Sequence, residues 1–382
     1  MNLKSNFIFL FICLAIFISC GDAGKNETEL VTKSVSELTP LNYAEGFRIK
    51  NFDSYKQIEV LNKRVVVNTY ILYNEKSSKP SISIKNAVYV KTPVRNVAAM
   101  SSLYVGFLER LNLTSSIKAV DNVDYISNQK IIDGVAAKTI SQLAIAGNIN
   151  EELTIALHPD LIINYGSGTS QSDKQEKLAN AGIPMVFCLD HLETSPLGRA
   201  EWIKFISCFY EKEKEADSLF TLTEQNYLAL KEAAGQAKEK PSVLTELKLN
   251  DAWYVPGGKS FMATLISDAN AQYCWANDST IGSLPLSFEQ VYEKASGADY
   301  WLNVLFCKSL NDIKKLDNRY TNFKAFKNKQ VFNNDLLVTP KGGNAYWETG
   351  LIEPDKILND MIKILHPELL IGNAFNYYHQ LN

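Results

Sequence analysis

The chain is expected to fold as an α/β protein: two lobes joined by one long bridging helix, with an N-terminal β-rich extension. Three observations lead there. From about Thr92, apolar strand segments alternate with amphipathic helical ones, the pattern of a parallel α/β lobe. The same alternation resumes after Pro241. Between the two lies "SPLGRAEWIKFISCFYEKEKEADSLFTLTEQNYLALKEAAGQAKEK", which has no strand pattern anywhere in it.

Residues 1–20 read as an export signal. One lysine precedes a 12-residue apolar run, Phe7 to Ile18. A helix that crosses a bilayer needs roughly 20 residues, so the run is too short to span. It closes at Phe17-Ile18-Ser19-Cys20, which resembles the lipobox of bacterial lipoproteins. In that motif the cysteine, here Cys20, becomes the acylated N-terminus, and more than one acyl chain makes anchoring stable. Attachment to a membrane through lipid is therefore expected. Residues 21–40 are polar at first, "GDAGKNETEL", and read as a flexible tether.

Residues 41–91 hold four alternating segments, "GFRIKNF", "KQIEVL", "RVVVNTYILY" and "SISIKNAVYV", expected to pair as a small antiparallel meander or a set of hairpins. Residues 92–195 make the first α/β lobe. Its strands are "VRNVAAM" and "IKAVD", with the helix "SSLYVGFLERLNL" between them. Two helix-to-strand phrases follow, "NINEELTIALHPDLIINY" and "SDKQEKLANAGIPMVFCLD". Residues 196–240 read as a short helix, a break near Glu211 and a longer helix to about Lys238. At 1.5 Å per residue the longer piece spans roughly 40 Å, about the width of a lobe. One bridging helix bends little, so a stiff cleft is expected. Residues 241–382 make the second lobe, from "SVLTELKL" through "SFMATLISDA" and "LSFEQVYEKASGADYWLNVLF" to the final helix "EPDKILNDMIKILHPELL".

The composition excludes some classes. A net charge of −3 over 382 residues, with no basic block, argues against a nucleic-acid partner. At 46% hydrophobic the chain can bury two cores. Beyond Cys13 in the signal and Cys20, the cysteines are Cys188, Cys208, Cys274 and Cys307, without metal-like spacing. Buried free thiols are the plainer reading, and a Cys188–Cys208 pair stays open. His158 and His366 each precede a proline at a helix end, and His191 follows a strand end. No metal site and no resident cofactor are expected.

Two helix starts match across the lobes. Asn150 and Ser287 are good N-caps, and Gln290 completes a capping box with Ser287. Glu152 and Glu289 then both fall at the second helical position, where a carboxylate also suits the helix dipole. Open α/β sheets bind ligands off the carboxyl ends of their strands. Reading those ends selects Tyr104, Tyr125, Tyr165, Trp253, Tyr254, Tyr346 and Trp347 as candidate ligand contacts, because aromatic rings bury much area at small entropy cost. Arg199 and Lys259 are cations suited to ligand carboxylates, with Glu201 as another partner for Arg199. "PGGKS" lacks the spacing of a phosphate loop, and no GxSxG elbow or Ser/His/Asp pattern is present.

From about residue 92 to 370 the chain resembles the substrate-binding proteins of ABC importers, in the class that handles ferric siderophores, haem and cobalamin. The phrases that carry the resemblance are "INEELTIALHPDLII", "AGIPMVF", "SFEQV", "ASGADYWL", "FKAFKNKQVF" and "GGNAYWETGLIEPDKIL". The resemblance implies two Rossmann-like lobes, one bridging helix and a ligand in the cleft between them. It also implies that Glu152 and Glu289 dock into arginine pockets on the two subunits of a permease dimer. The expectation is a monomeric, lipid-anchored receptor on the periplasmic side, with the inner membrane favoured, delivering an iron complex or cobalamin. The alternatives are a periplasmic enzyme, chelatase or hydrolase, on a similar scaffold, and a surface scavenging lipoprotein with no ABC partner. The segment before Thr92 has no counterpart in this pattern.

Overall fold

The alternating segments before Thr92 pair, in sequence order, as a five-stranded sheet: Glu37–Leu38, Phe47–Asn51, Lys56–Asn62, Val65–Asn74 and Val88–Thr92. The structure is a computed structural model that describes residues 37–145, 148–169, 176–369 and 374–382, all within one unit spanning Val35–Asn382. The first four strands are antiparallel. Lys63 and Arg64, with φ of 48° and 68°, form the two-residue hairpin whose twist suits such a pair. The fifth strand runs parallel to Val65–Asn74, which corrects the expected all-antiparallel meander. No tight turn joins these two strands. Residues 75–87 form no strand, "SISI" included, and carry the chain back to the start of the same edge.

The first lobe is an all-parallel sheet in the order Met185–Cys188, Leu161–Tyr165, Val97–Ala99, Ile117–Val120, Ser141–Gln142. Its central strand is wholly buried, as expected when helices cover both faces. The second lobe has the order Gln272–Tyr273, Ser242–Thr245, Tyr300–Leu302, Val331–Asn333, His379–Gln380, parallel except for its last edge strand. It carries an addition that the sequence reading lacked. Lys248–Leu249, Ala252–Pro256 and Ser283–Leu286 form a separate three-stranded antiparallel sheet.

Between the lobes run a helix, Pro196–Cys208, a break where Glu211 takes a φ of 56°, and a 22-residue helix, Glu213–Ala234. The second helix buries Ala216, Phe220, Thr223, Tyr227 and Ala234 on one face and packs against both Pro196–Cys208 and the final helix Pro354–Leu365. The N-terminal sheet is fastened to this connector. Phe47 lies 4.9 Å from Trp202 and 5.5 Å from Phe205 between ring centres, and Tyr70 packs on Phe205 and Phe209. The carboxylate of Glu201, wholly buried, accepts from the amides of Asn42, Tyr43 and Ala44 at 3.0, 2.8 and 2.9 Å. Glu193 accepts from the amides of Glu45 and Gly46 and from the Trp202 indole. Cys188, Cys208, Cys274 and Cys307 are free, so the pairing left open by the sequence is not formed.

Candidate functional site

The carboxyl ends of the first-lobe strands open onto a cavity of about 270 Å³. Met100, Ser101 and Ser102 follow Val97–Ala99, Asp121 and Asn122 follow Ile117–Val120, and Tyr165 ends its own strand. The facing wall is Gly342, Asn344 and Trp347, so the cavity lies between the lobes, at the strand ends where open α/β sheets hold ligands.

Local chemistry sets each wall. The Ser101 hydroxyl caps the helix Ser102–Arg110 by accepting from the Leu103 amide. Asn122 caps the single turn Val123–Tyr125, its side-chain oxygen accepting from the Asp124 amide at 2.9 Å. Asn344 accepts from the Tyr346 amide and donates to the Asn334 carbonyl, which ties the wall loop to the end of Val331–Asn333. The two walls touch closely beside the cavity. A Cβ on Gly343 would lie 2.0 Å from the Ile126 carbonyl oxygen, and one on Gly106 would lie 2.1 Å from that of Glu348, so both contacts require glycine. The Glu348 carboxylate, wholly buried, accepts from the amides of Ser127 and Asn128 at 2.5 and 2.9 Å. Burial still prevails over those donors and pushes its carboxyl up to about 7. At the rim Lys341 pairs with Asp124 at 3.3 Å.

The aromatic candidates divide sharply. Tyr125, Tyr165 and Trp347 line the cavity and remain 63%, 60% and 49% exposed. Tyr104, Trp253 and Tyr346 are corrections: each is buried in the core, out of reach of a ligand. The Tyr104 hydroxyl donates to Asp190 at 3.2 Å on the inner side of its helix. Trp253 stands in the unforeseen antiparallel sheet, where alternation turns it and Val255 inward and Tyr254 outward. Its ring stacks 5.7 Å from Trp301 and its indole donates to the Thr245 carbonyl. Tyr254 is half exposed and is not among the residues lining the cavity. Tyr346 begins a wide helical turn, Tyr346–Gly350, and packs edge-on against Tyr377 and Tyr378, while its neighbour Trp347 reaches the cavity.

Sequence reasoning passed over Asp121 and Asn122, although the end of "IKAVD" marks the same strand edge. Arg199 faces away from the lining. Its guanidinium donates to the Asp190 carbonyl at 3.1 Å and lies over the Phe261 ring, so its acidic neighbour is Asp190 and not Glu201. Lys259 is exposed and is not part of the lining either. Among the described residues, no group of three His, Cys, Asp or Glu side chains is placed to hold a metal ion.

The two matched helices begin at Glu151 and Phe288, capped by Asn150 and by the Ser287–Gln290 box. Each leads directly into a parallel strand, Leu161–Tyr165 or Tyr300–Leu302, so each helix starts at the edge where that strand ends. Glu152 and Glu289 are both exposed, and Glu289 accepts from Arg319 at 3.1 Å. Glu151 is instead paired with Lys177 at 2.8 Å. Cys20 and the expected signal lie outside the described residues. Among those described, no helix is long and apolar enough to cross a membrane.

Known proteins are similar to this chain in sequence or in fold. An uncharacterised lipoprotein of Methanocaldococcus jannaschii is 28% identical over 326 residues, which cover 82% of this chain and 76% of that protein. A possible iron-binding (periplasmic solute-binding) protein from Staphylococcus epidermidis has a TM-score of 0.56 at 17% identity, covering 72% of this chain and 100% of the other. A periplasmic heme binding protein of Vibrio cholerae has a TM-score of 0.54 at 18% identity, covering 69% of this chain and 97% of the other. At such identities the likeness to the solved structures is one of fold. The family model for periplasmic binding proteins matches residues 97–335, from the central strand of the first lobe to just past Val331–Asn333. That span holds the parallel strands of both lobes and the connector, and it leaves aside the N-terminal sheet, the cavity wall at residues 342–347, the final helix Pro354–Leu365 and the edge strand His379–Gln380. The chain belongs to the periplasmic binding protein family.

Proposed function

We propose that the protein is a lipid-anchored receptor on the periplasmic side that captures an iron complex (a ferric siderophore or haem) or cobalamin and hands it to an ABC permease dimer. One observation carries the proposal: three large aromatic side chains, Tyr125, Tyr165 and Trp347, stand exposed around one hollow between the lobes. Exposed apolar area gathered in one place is characteristic of a surface that something covers. A flat or amphipathic ligand covers such rings well. At about 270 Å³ the cavity is slightly smaller than the roughly 300–1,000 Å³ typical of small-molecule sites, so a bulky complex would protrude toward the rim. The lipoprotein name of the archaeal relative supports anchoring through Cys20. The iron and heme titles of the two solved structures support the ligand class.

Capture requires no covalent step. Affinity comes from enclosure, and walls already joined through Glu348 and Gly343 reduce the ordering cost of binding. For delivery, Glu152 and Glu289 offer one carboxylate per lobe to a two-fold partner, and Glu289 would exchange Arg319 for a permease arginine.

Titration of the purified protein with haem, cobalamin and ferric siderophores, followed by visible absorption, tests capture. A saturable spectral change with one of them is expected, and none with any would refute the proposal. Replacing Glu152 and Glu289 by alanine should abolish uptake in cells while binding survives. Unchanged uptake would remove the docking role.

A further inference from the structure

Resting on the receptor reading, we infer that Asp121 makes the cavity selective for cationic or neutral complexes over anionic ones. Asp121 is the one ionisable acid in the lining, at the end of Ile117–Val120, and the described lining residues include no lysine, arginine or histidine. The nearby cations are committed elsewhere. Lys341 at the rim is held by Asp124 at 3.3 Å, and Arg199 lies against Asp190. No hydrogen bond or ion pair to the Asp121 carboxylate is present among the described residues, and its neighbours on the cavity wall, Ser101, Ser102 and Asn122, are neutral.

A half-buried carboxylate without a counter-charge carries an unrelieved desolvation cost, seen here as burial raising its carboxyl above the usual range. A ligand that brings positive charge removes that cost. One that presents carboxylates or catecholate oxygens adds like-charge repulsion in a shielded cleft. A second observation points the same way. Tyr125, Tyr165 and Trp347 line the cavity, and an aromatic ring that meets a ligand face-on attracts cations and repels anions. The cavity therefore suits a hydroxamate-type ferric complex or a corrinoid better than a polycarboxylate complex, and haem would enter with its propionates pointing outward.

Matched probes of one chemotype test this. Ferrioxamine B carries a free amine and can be compared with its N-acetyl and N-succinyl derivatives, aquocobalamin with cyanocobalamin, and haemin dimethyl ester with haemin. Tryptophan fluorescence gives the affinities of the wild type, Asp121→Asn and Asp121→Glu, with circular dichroism to confirm folding. In the wild type the more positive member of each bound set should bind about tenfold tighter. Asp121→Asn should level the set and Asp121→Glu should keep the order. Equal or stronger binding of the more negative member, or an order unchanged in folded Asp121→Asn, overturns the inference and leaves the receptor reading standing. Absence of binding by every probe overturns both.

Discussion

Trp253 and Trp347 both sit near glycines in the sequence, yet one is a wall of the core and the other a wall of the cavity. Trp253 is wholly buried, stacked on Trp301 and hydrogen-bonded through its indole. Its replacement by alanine should cost about 3–5 kcal/mol in urea denaturation, the usual penalty for a cavity left by a large aromatic. Trp347, half exposed beside the hollow, should behave in the opposite way. Trp347→Ala should leave stability within about 1 kcal/mol and weaken ligand binding roughly tenfold. Tyr104→Phe separates the same two roles. Losing the hydroxyl that donates to Asp190 should cost about 1 kcal/mol of stability and leave the affinity unchanged.

At the scale of elements, the N-terminal sheet depends on two buried glutamates, Glu201 in the connector and Glu193 just before it. Glu201 accepts from three consecutive amides, and removing its carboxylate would strand those donors away from water. Glu201→Ala should therefore destabilise the fold by about 2–4 kcal/mol. Hydrogen exchange should speed up first in residues 37–62, before either lobe. Unchanged exchange there would show that Glu193 and the aromatic contacts of Phe47 and Tyr70 suffice to hold the sheet. The connector itself was legible: an amphipathic period, a break at Glu211 and a following proline are local signals. The docking of a sheet onto it was not, because Asn42 and Glu201 are 159 positions apart.

For the whole molecule, two carboxyls shielded from water, Glu348 wholly and Glu246 in part, tie stability to pH. Burial pushes Glu348 to about 7 and Glu246 to about 8, from an ordinary 4.5. Below about pH 4.5 both groups are protonated in the folded and unfolded states, so their contribution is complete there. As pH rises the unfolded chain gives up these protons first, and stability is lost until the folded groups have also ionised, near 7 and 8. Each contributes a few kcal/mol at most. Chemical denaturation at pH 5 and at pH 8 should show a smaller loss of stability for Glu348→Gln than for the wild type. An equal loss would mean that Glu348 ionises in place without cost. Because Glu348 joins the two walls of the cavity, the same measurement reports on how firmly the lobes are held together.

By itself the sequence determined what neighbours within a few residues can enforce: the helix caps at Asn150 and Ser287, the strand–helix alternation of both lobes, the broken bridge and the alternating segments of the extension. Only the tertiary structure decided which way an aromatic side chain faces. Tyr346 and Trp347 are adjacent, yet one packs on Tyr377 and Tyr378 and the other opens onto the hollow. It also decided the parallel fifth strand, the added antiparallel sheet that hides Trp253, and the meeting of Glu348 with Ser127 across 221 positions. The reason is physical. Propensity and capping are local energies, whereas burial and carboxylate satisfaction depend on what distant segments bring to the same place.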